Sequence, residues 1–203
     1  MNARKDVRAG WRQRLTARRC ALLAALLLAC GFALQAGAIH AKAGLAQLLL
    51  ARAFDASQHD GRDHAPWPWA DTVPVARLAV PAHGIEQIVL AGDDGRTLAF
   101  GPGWAQASAA PGQHGGTVIS GHRDTHFSFL QRLAIGDAIQ LENRFGGAAY
   151  QVISTQVVDT RHHRLDVTAG DQDTLWLVTC WPFDAVTAGG PMRYLVQAQR
   201  TPG

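Results

Sequence analysis

The 203-residue chain is poor in cysteine, with three, and two of them, Cys20 and Cys30, fall inside one apolar stretch. Cys180 therefore stands alone in everything that follows. Outside the cytoplasm a solitary thiol has no intramolecular disulfide to form and is open to oxidation. It reads either as a small buried hydrophobe or as a reactive group. Helical periodicity is nearly missing beyond residue 73, and no internal repeat is evident, so that part of the chain is expected to be built from strands.

Excess positive charge is missing too, once its position is considered. The totals, 19 basic and 16 acidic residues with a pI near 9.1, look mildly basic. Seven of the basic residues (Arg4, Lys5, Arg8, Arg12, Arg14, Arg18 and Arg19) and one acid, Asp6, lie in the first 19 positions. The remainder carries 12 basic against 15 acidic residues, a net of −3. The pI reports the N-terminus, and nucleic acid is not expected as a partner.

What the N-terminus does have is residues 20–39, a run without a single charge. About 20 apolar residues suffice to cross a bilayer as a helix, and positive flanks stay cytoplasmic. A basic cytoplasmic tail (1–19) and a retained transmembrane signal anchor (20–39) are expected, a single pass that leaves the rest outside the inner membrane. A cleaved signal peptide is the second reading. Ala-Ile-His-Ala and Ala-Lys-Ala offer small-residue cut sites, but the run exceeds the usual h-region of about 7–15 residues. A lipoprotein signal ending at Cys30 fits poorly, because Leu28 is bulky and the apolar run continues past the cysteine.

Residues 40–69 read as a juxtamembrane helix and tether. Leu45, Leu48, Leu49 and Arg52 have three-and-four spacing, whereas 55–69 is rich in His, Asp, Gly and Pro. Trp67 and Trp69 fit either a membrane interface or a docking contact. From about residue 70 to 203 the chain reads as one β domain, long enough for a single buried core. Eight β-type runs are expected, at 74–80, 86–91, 97–100, 116–120, 137–142, 148–158, 174–180 and 192–199. Asp93-Asp94-Gly95 reads as a hairpin turn, and 126–133 as the one helical turn. Many short strands with turn signals point to a sandwich or a closed barrel.

Three segments carry chemistry. In 174–180, alternation puts Trp176, Val178 and Cys180 on one face and Leu175, Leu177 and Thr179 on the other. Pro182 cannot continue a central strand, so Cys180 sits at a strand end, a rigid place for a nucleophile. No helix follows, which leaves charged neighbours to activate the thiol. His122 follows Gly121 at the end of another strand; alone it reads as readily as a surface histidine. With Asp124 and His126 it invites a metal reading, but histidines four apart share a face only in a helix, and Gly121 and Asp124 make a poor one. His162 and His163 are adjacent and diverge, so no metal is expected. Arg193 lies within the last run, where a permanent cation fits either an edge salt bridge or a fixed charge that holds an oxyanion. Residues 184–191 form a small-residue loop between the Cys and Arg strands, a wall for a peptide groove.

A thiol, an imidazole and a guanidinium in these contexts look like a cysteine acyl-transfer site. The stretch 66–198 resembles the sortases, most closely the Gram-negative class. The motifs are Pro-Trp-Pro-Trp-Ala-Asp (66–71), Leu-Ala-Phe-Gly-Pro-Gly (98–103), Gly-His-Arg-Asp-Thr-His-Phe (121–127), Thr-Cys-Trp-Pro-Phe-Asp (179–184) and Gly-Gly-Pro-Met-Arg-Tyr (189–194). The resemblance implies a closed eight-stranded β-barrel and a catalytic set of His122, Cys180 and Arg193. It also implies transpeptidation of a partner protein at a C-terminal sorting signal, through a Cys180 thioester, to an amine acceptor. An unperturbed thiol near ~8.5 and imidazole near ~6.5 leave only a minority as the reactive thiolate–imidazolium pair at neutral pH. The resemblance implies no cofactor, and the calcium ligands of some sortase classes have no match here.

Two other functions use the same sequence. A thiol hydrolase would employ the same three residues with water as acceptor. A non-catalytic periplasmic barrel would bind a partner through Trp67, Trp69 and Trp104 and keep Cys180 unreactive. Topology is tested independently of chemistry. A reporter fused after Gly203 should be active only if exported, and the full-length protein should pellet with membranes. Full-length protein in the cytosol, or a mature N-terminus near Ala41, would reject the retained anchor.

Overall fold

A computed structural model describes residues 3–165, 173–187 and 189–202, with side chains from residue 22 on except Ala24. The basic side chains before residue 20, Cys20 and Ala188 lie outside the described set. The first element is a helix, α1 (Ala3–Asp60), and the chain divides into two compact units, Met1–Leu45 and Ala46–Gly203. In the first unit Leu22, Leu26, Leu27, Phe32 and Leu34 are all exposed. This helix is long and apolar enough to cross a membrane.

The second unit is a closed barrel of eight strands: β1 (Pro74–Val80), β2 (Ile85–Ala91), β3 (Gly103–Trp104), β4 (Gly116–Ser120), β5 (Ala138–Asn143), β6 (Gly146–Asp159), β7 (Thr174–Cys180) and β8 (Met192–Arg200). Their order around the barrel is β1-β2-β3-β4-β7-β8-β6-β5, closed by β1 against β5. Closure leaves no unpaired edge. Two of the neighbour pairs, β2/β3 and β4/β7, are parallel. Alternation fills the interior: Leu175 and Leu177 from β7, Ile119 from β4, Leu78 from β1 and Tyr150 from β6 are buried with Phe127 and Phe129. A register shift between Val152 and Ser154 lets the 14-residue β6 bend against β8.

Four details differ from the sequence expectation. Residues 97–100 are not a strand: Thr97–Ala99 is a 3-10 turn, and the third strand is the two-residue β3. The Asp93-Asp94-Gly95 segment is not a hairpin, because β2 and β3 run parallel. Asp94 instead caps the 3-10 turn, its carboxylate accepting from the N–H groups of Arg96 and Thr97 and from the Thr97 hydroxyl. Helical turns also occur at Pro81–His83 as well as at Ser128–Arg132. Finally, α1 continues through Asp60, six residues into the segment that composition marks as tether, and ends at Gly61 with φ 72°.

The end of α1 belongs to the second unit because its apolar stripe docks there. Leu50 and Phe54 are buried with Ile88 and Leu90 of β2, and Trp67 packs against them. Trp67 also meets the Phe100 ring at 5.2 Å, while Trp69 is exposed. Arg77 lies over the Phe54 ring at 5.0 Å and pairs with Asp55, Glu86 and Glu142. Truncating Phe54 to Ala should therefore cost about 3–5 kcal/mol of stability, read by urea denaturation. Ile153→Ala, on the exposed face of β6, should stay within about 0.5 kcal/mol. Equal losses would mean that the helix end is not part of the folded unit.

Candidate active site

The parallel ladder of β4 and β7 runs from Gly116↔Thr174 to Ser120↔Val178. β4 stops there, whereas β7 runs on for two residues to Cys180, still paired with β8. Gly121 N–H donates to the Val178 carbonyl at 3.0 Å, and the buried Thr179 hydroxyl donates to the Gly121 carbonyl at 2.7 Å. His122 lies two residues past the last pair on the β4 side and Cys180 two residues past it on the β7 side. Val178, Ser120 and Cys180 occupy the outward positions, while Thr179 and Ile119 are buried. The thiol is half-buried and His122 exposed.

Across β7 from β4 runs β8, antiparallel, and its register pairs Cys180 with Arg193. Side chains opposite each other in such a ladder share a face. Arg193 is the second residue of β8 rather than a mid-strand residue. Its Nη1 donates to the carbonyls of Gly190 and Met192 at 2.8 and 2.9 Å, so the described bonds are to the loop backbone and not a salt bridge. The three sequence candidates thus come from three consecutive strands at one end of the barrel.

Beyond His122 the chain turns tightly, with Thr125 and Phe127 N–H both donating to the His122 carbonyl. Gly121 is required here, since an added Cβ would fall 2.6 Å from Phe127 Cγ. His126 does not face a metal site with His122. Its ring Nδ1 lies 3.1 Å from the Gln87 amide oxygen on β2. Burial, with the neighbouring His122 as a second cause, holds the His126 imidazole below its ordinary value. Among the described residues no group of three or more His, Cys, Asp or Glu side chains gathers as a metal site.

Past Cys180 a cleft of about 590 Å³ opens between Trp181, Pro182, Phe183 and Asp184 on one side and Gln131 and Tyr194 on the other. Its aromatic lining is packed: Trp181 stacks on Tyr194 at 5.8 Å, and Phe183 meets both edge-on. The cleft is lined by the chain neighbours of Cys180 and Arg193 rather than by the three candidates themselves, and a second cavity of about 600 Å³, near Phe54, Trp104 and Asn143, is lined by none of them either.

Sequence reading passed over one residue of this site. Arg123, next to His122, is only 5% exposed. Its Nη1 donates to the Pro182 carbonyl (2.9 Å), and its Nη2 to those of Ala185 (2.8 Å) and Thr187 (3.0 Å). Its Nε lies 3.2 Å from Asp124, whose side chain is 66% exposed. Arginine's usual place on the surface hid it, and only the carbonyl-rich, side-chain-poor loop at 184–191 hinted at a buried donor.

Comparison with known proteins agrees with this architecture. A sortase domain model matches residues 78–201. Sortase D of Bacillus subtilis (strain 168) is 32% identical over 123 residues, 61% of this chain and 62% of that protein, so the chain spans less than two thirds of this relative's length. Among solved structures, sortase A from Corynebacterium diphtheriae superposes with a TM-score of 0.59 at 27% identity, covering 66% of this chain and 63% of that one. Sortase C-1 from Actinomyces oris gives 0.55 at 27% identity, covering 64% and 76%. With a family model spanning more than half its length and laid over the strands that carry His122, Cys180 and Arg193, the chain belongs to the sortase family.

Proposed function

We propose that the protein is a membrane-anchored cysteine transpeptidase that cleaves a partner protein at a C-terminal sorting signal and transfers the acyl group to an amine. The observation that carries this reading is the Cys180–Arg193 pairing across β7/β8, with His122 two residues past the end of the parallel neighbour β4. In this reading the Cys180 thiolate attacks the scissile carbonyl carbon and a tetrahedral oxyanion forms. Arg193 holds that oxygen. Collapse breaks the C–N bond, and the departing amine takes its proton from the His122 imidazolium. The thioester keeps the acyl group activated. An incoming amine, deprotonated by His122, then attacks it and expels the thiolate. Water in place of the amine would give hydrolysis by the same residues, so product analysis with and without added amine separates the two.

The motifs at 66–71, 121–127 and 179–184 support assignment to the Gram-negative class. With the basic 1–19 tail, they also support an inner-membrane span at 20–39, a linking segment at 40–69 and a periplasmic catalytic domain at 70–203. His126 is compatible with the division of labour. Burial favours its neutral form, so His126 adds no fixed charge beside His122.

Two measurements test this. Cys180→Ala should abolish formation of a covalent acyl adduct with peptides taken from the C-termini of candidate partners, while the circular dichroism stays unchanged. Arg193→Lys keeps the charge but loses the planar fork, and should lose about 100–1,000-fold in rate with Cys180 still alkylatable. Arg161→Lys, whose side chain is exposed and pairs with Asp159, should be nearly silent. Full rate in Arg193→Lys would leave the oxyanion to backbone N–H groups. A separate measurement, pH dependence, tests His126. A histidine held below its ordinary value contributes stability that is complete above about 6.5 and declines as pH falls through its folded value. Wild type should therefore lose stability relative to His126→Gln between pH 7 and 5 in urea titrations; a constant difference would mean that His126 ionises freely in the fold.

A further inference from the structure

One turn carries two side chains that part company. His122 is exposed just past the end of β4, and Arg123 is buried, its guanidinium bonded to the loop that follows Cys180. The carbonyls Arg123 reaches, those of Pro182, Ala185 and Thr187, are spread over the first half of that loop. Arg193 holds the second half through the Gly190 carbonyl. Among the described residues, little else anchors the middle. Ala185, Val186 and Thr187 have small or exposed side chains, Val186 is fully exposed, and Gly189 and Gly190 take positive φ. The same loop supplies Pro182, Phe183 and Asp184 to the aromatic cleft.

A buried cation is a poor choice where stability alone is at stake, because desolvation offsets its bonds and an apolar side chain of equal volume often does as well. Among the described residues, the carboxylate it pairs with is that of the largely exposed Asp124. What a guanidinium supplies that an apolar residue does not is directionality: two terminal nitrogens, fixed in a plane, reach three carbonyls at once. Lysine, a single ammonium point, does not span them.

We propose that Arg123 is a positioning residue: it ties the His122 turn to the loop after Cys180, so that imidazole and thiol keep one relative geometry and the cleft wall stays formed. The assignment rests on the transpeptidase reading only for the roles of His122 and Cys180; the tie itself does not.

Hydrogen exchange by mass spectrometry on the full-length protein in detergent reads the tie directly. In Arg123→Lys and Arg123→Ala, amides of 183–187 should exchange at least about 10-fold faster, the factor matching loss of one charge-assisted hydrogen bond. Amides of β1, β2 and β5 should be unchanged. Guanidinium chloride far below denaturing concentration should restore protection in Arg123→Ala, whereas sodium chloride should not. If Arg123→Ala fails to fold, Arg123→Lys carries the same comparison. The second readout is the pH profile of Cys180 alkylation by iodoacetamide, followed on the Cys180 peptide. His122→Ala defines the profile without the imidazole, and Arg123→Lys should move toward it. Loop exchange that stays at the wild-type rate, acceleration spread evenly through the barrel, or a wild-type alkylation profile in Arg123→Lys would each overturn the proposal. Should His122→Ala itself leave the profile unaltered, the transpeptidase reading fails, and the exchange data alone decide the tie.

Discussion

The register of the parallel β4/β7 ladder is the constraint on which the site depends. Its five pairs put Leu175, Leu177 and Thr179 inward with Ile119 and leave Val178 and Cys180 outward with Ser120. A slip of one residue would exchange the two faces and send Cys180 into a core already filled by Phe127, Phe129 and Tyr150. The Thr179 hydroxyl on the Gly121 carbonyl closes the ladder from inside. Parallel strands are joined by long connections rather than tight turns, so β5 and β6 lie between the histidine and the cysteine in sequence. Distance along the chain and proximity in the barrel are therefore unrelated for these two residues.

Where the ladder stops, backbone polar groups still need partners, and the loop from Trp181 to Pro191 turns its carbonyls toward two guanidinium groups. Arg123 and Arg193 take carbonyls from opposite halves of it. Three bonds from a charged donor, each worth about 1.5–3 kcal/mol, are of the size of the several kcal/mol that desolvating the Arg123 charge requires. Stability alone gains little from this arrangement, and conformational definition of the loop gains much. The aromatic trio of Trp181, Phe183 and Tyr194 then has a fixed backbone on which to pack.

Much of this was legible in the chain, for physical reasons that can be named. Period two alone divides residues 174–180 into two faces, and Pro182 marks the strand end; which face is inward is decided by the packing, because Leu-Trp-Leu-Val is apolar on both. β3 was not legible, because two residues, Gly103 and Trp104, are too short to show a period. Gly103 sits there because an added Cβ would fall 2.2 Å from the Gly92 carbonyl oxygen. Residues 97–100 have strand-like composition, but the Asp94 carboxylate captures the N–H groups that a strand would need. The docked end of α1 hid behind His and Asp, whose polarity belongs to its exposed face while Leu50, Ala53, Phe54 and Ser57 line the other. Arg123 itself carried no signal beyond the small-residue loop at 184–191, since burial of a charge is decided by loops distant in sequence.

The location of the chemistry follows from the barrel's size. Eight short strands enclose an interior just wide enough for side chains, and here it is packed solid, so nothing reacts inside. The candidates Cys180 and Arg193 lie at strand ends and His122 just past one, none of them in the buried interior; on the proposed function a substrate chain would lie along the wall without entering it. The barrel fixes the backbone of these residues but offers no enclosure. Enclosure has to come from loops, and of those bordering the cleft the one at 181–191 is built with few side chains of its own to hold it. A site of this kind delegates its shape to whatever fixes its loops, which is why a buried arginine that touches no reacting atom belongs in an account of how it works.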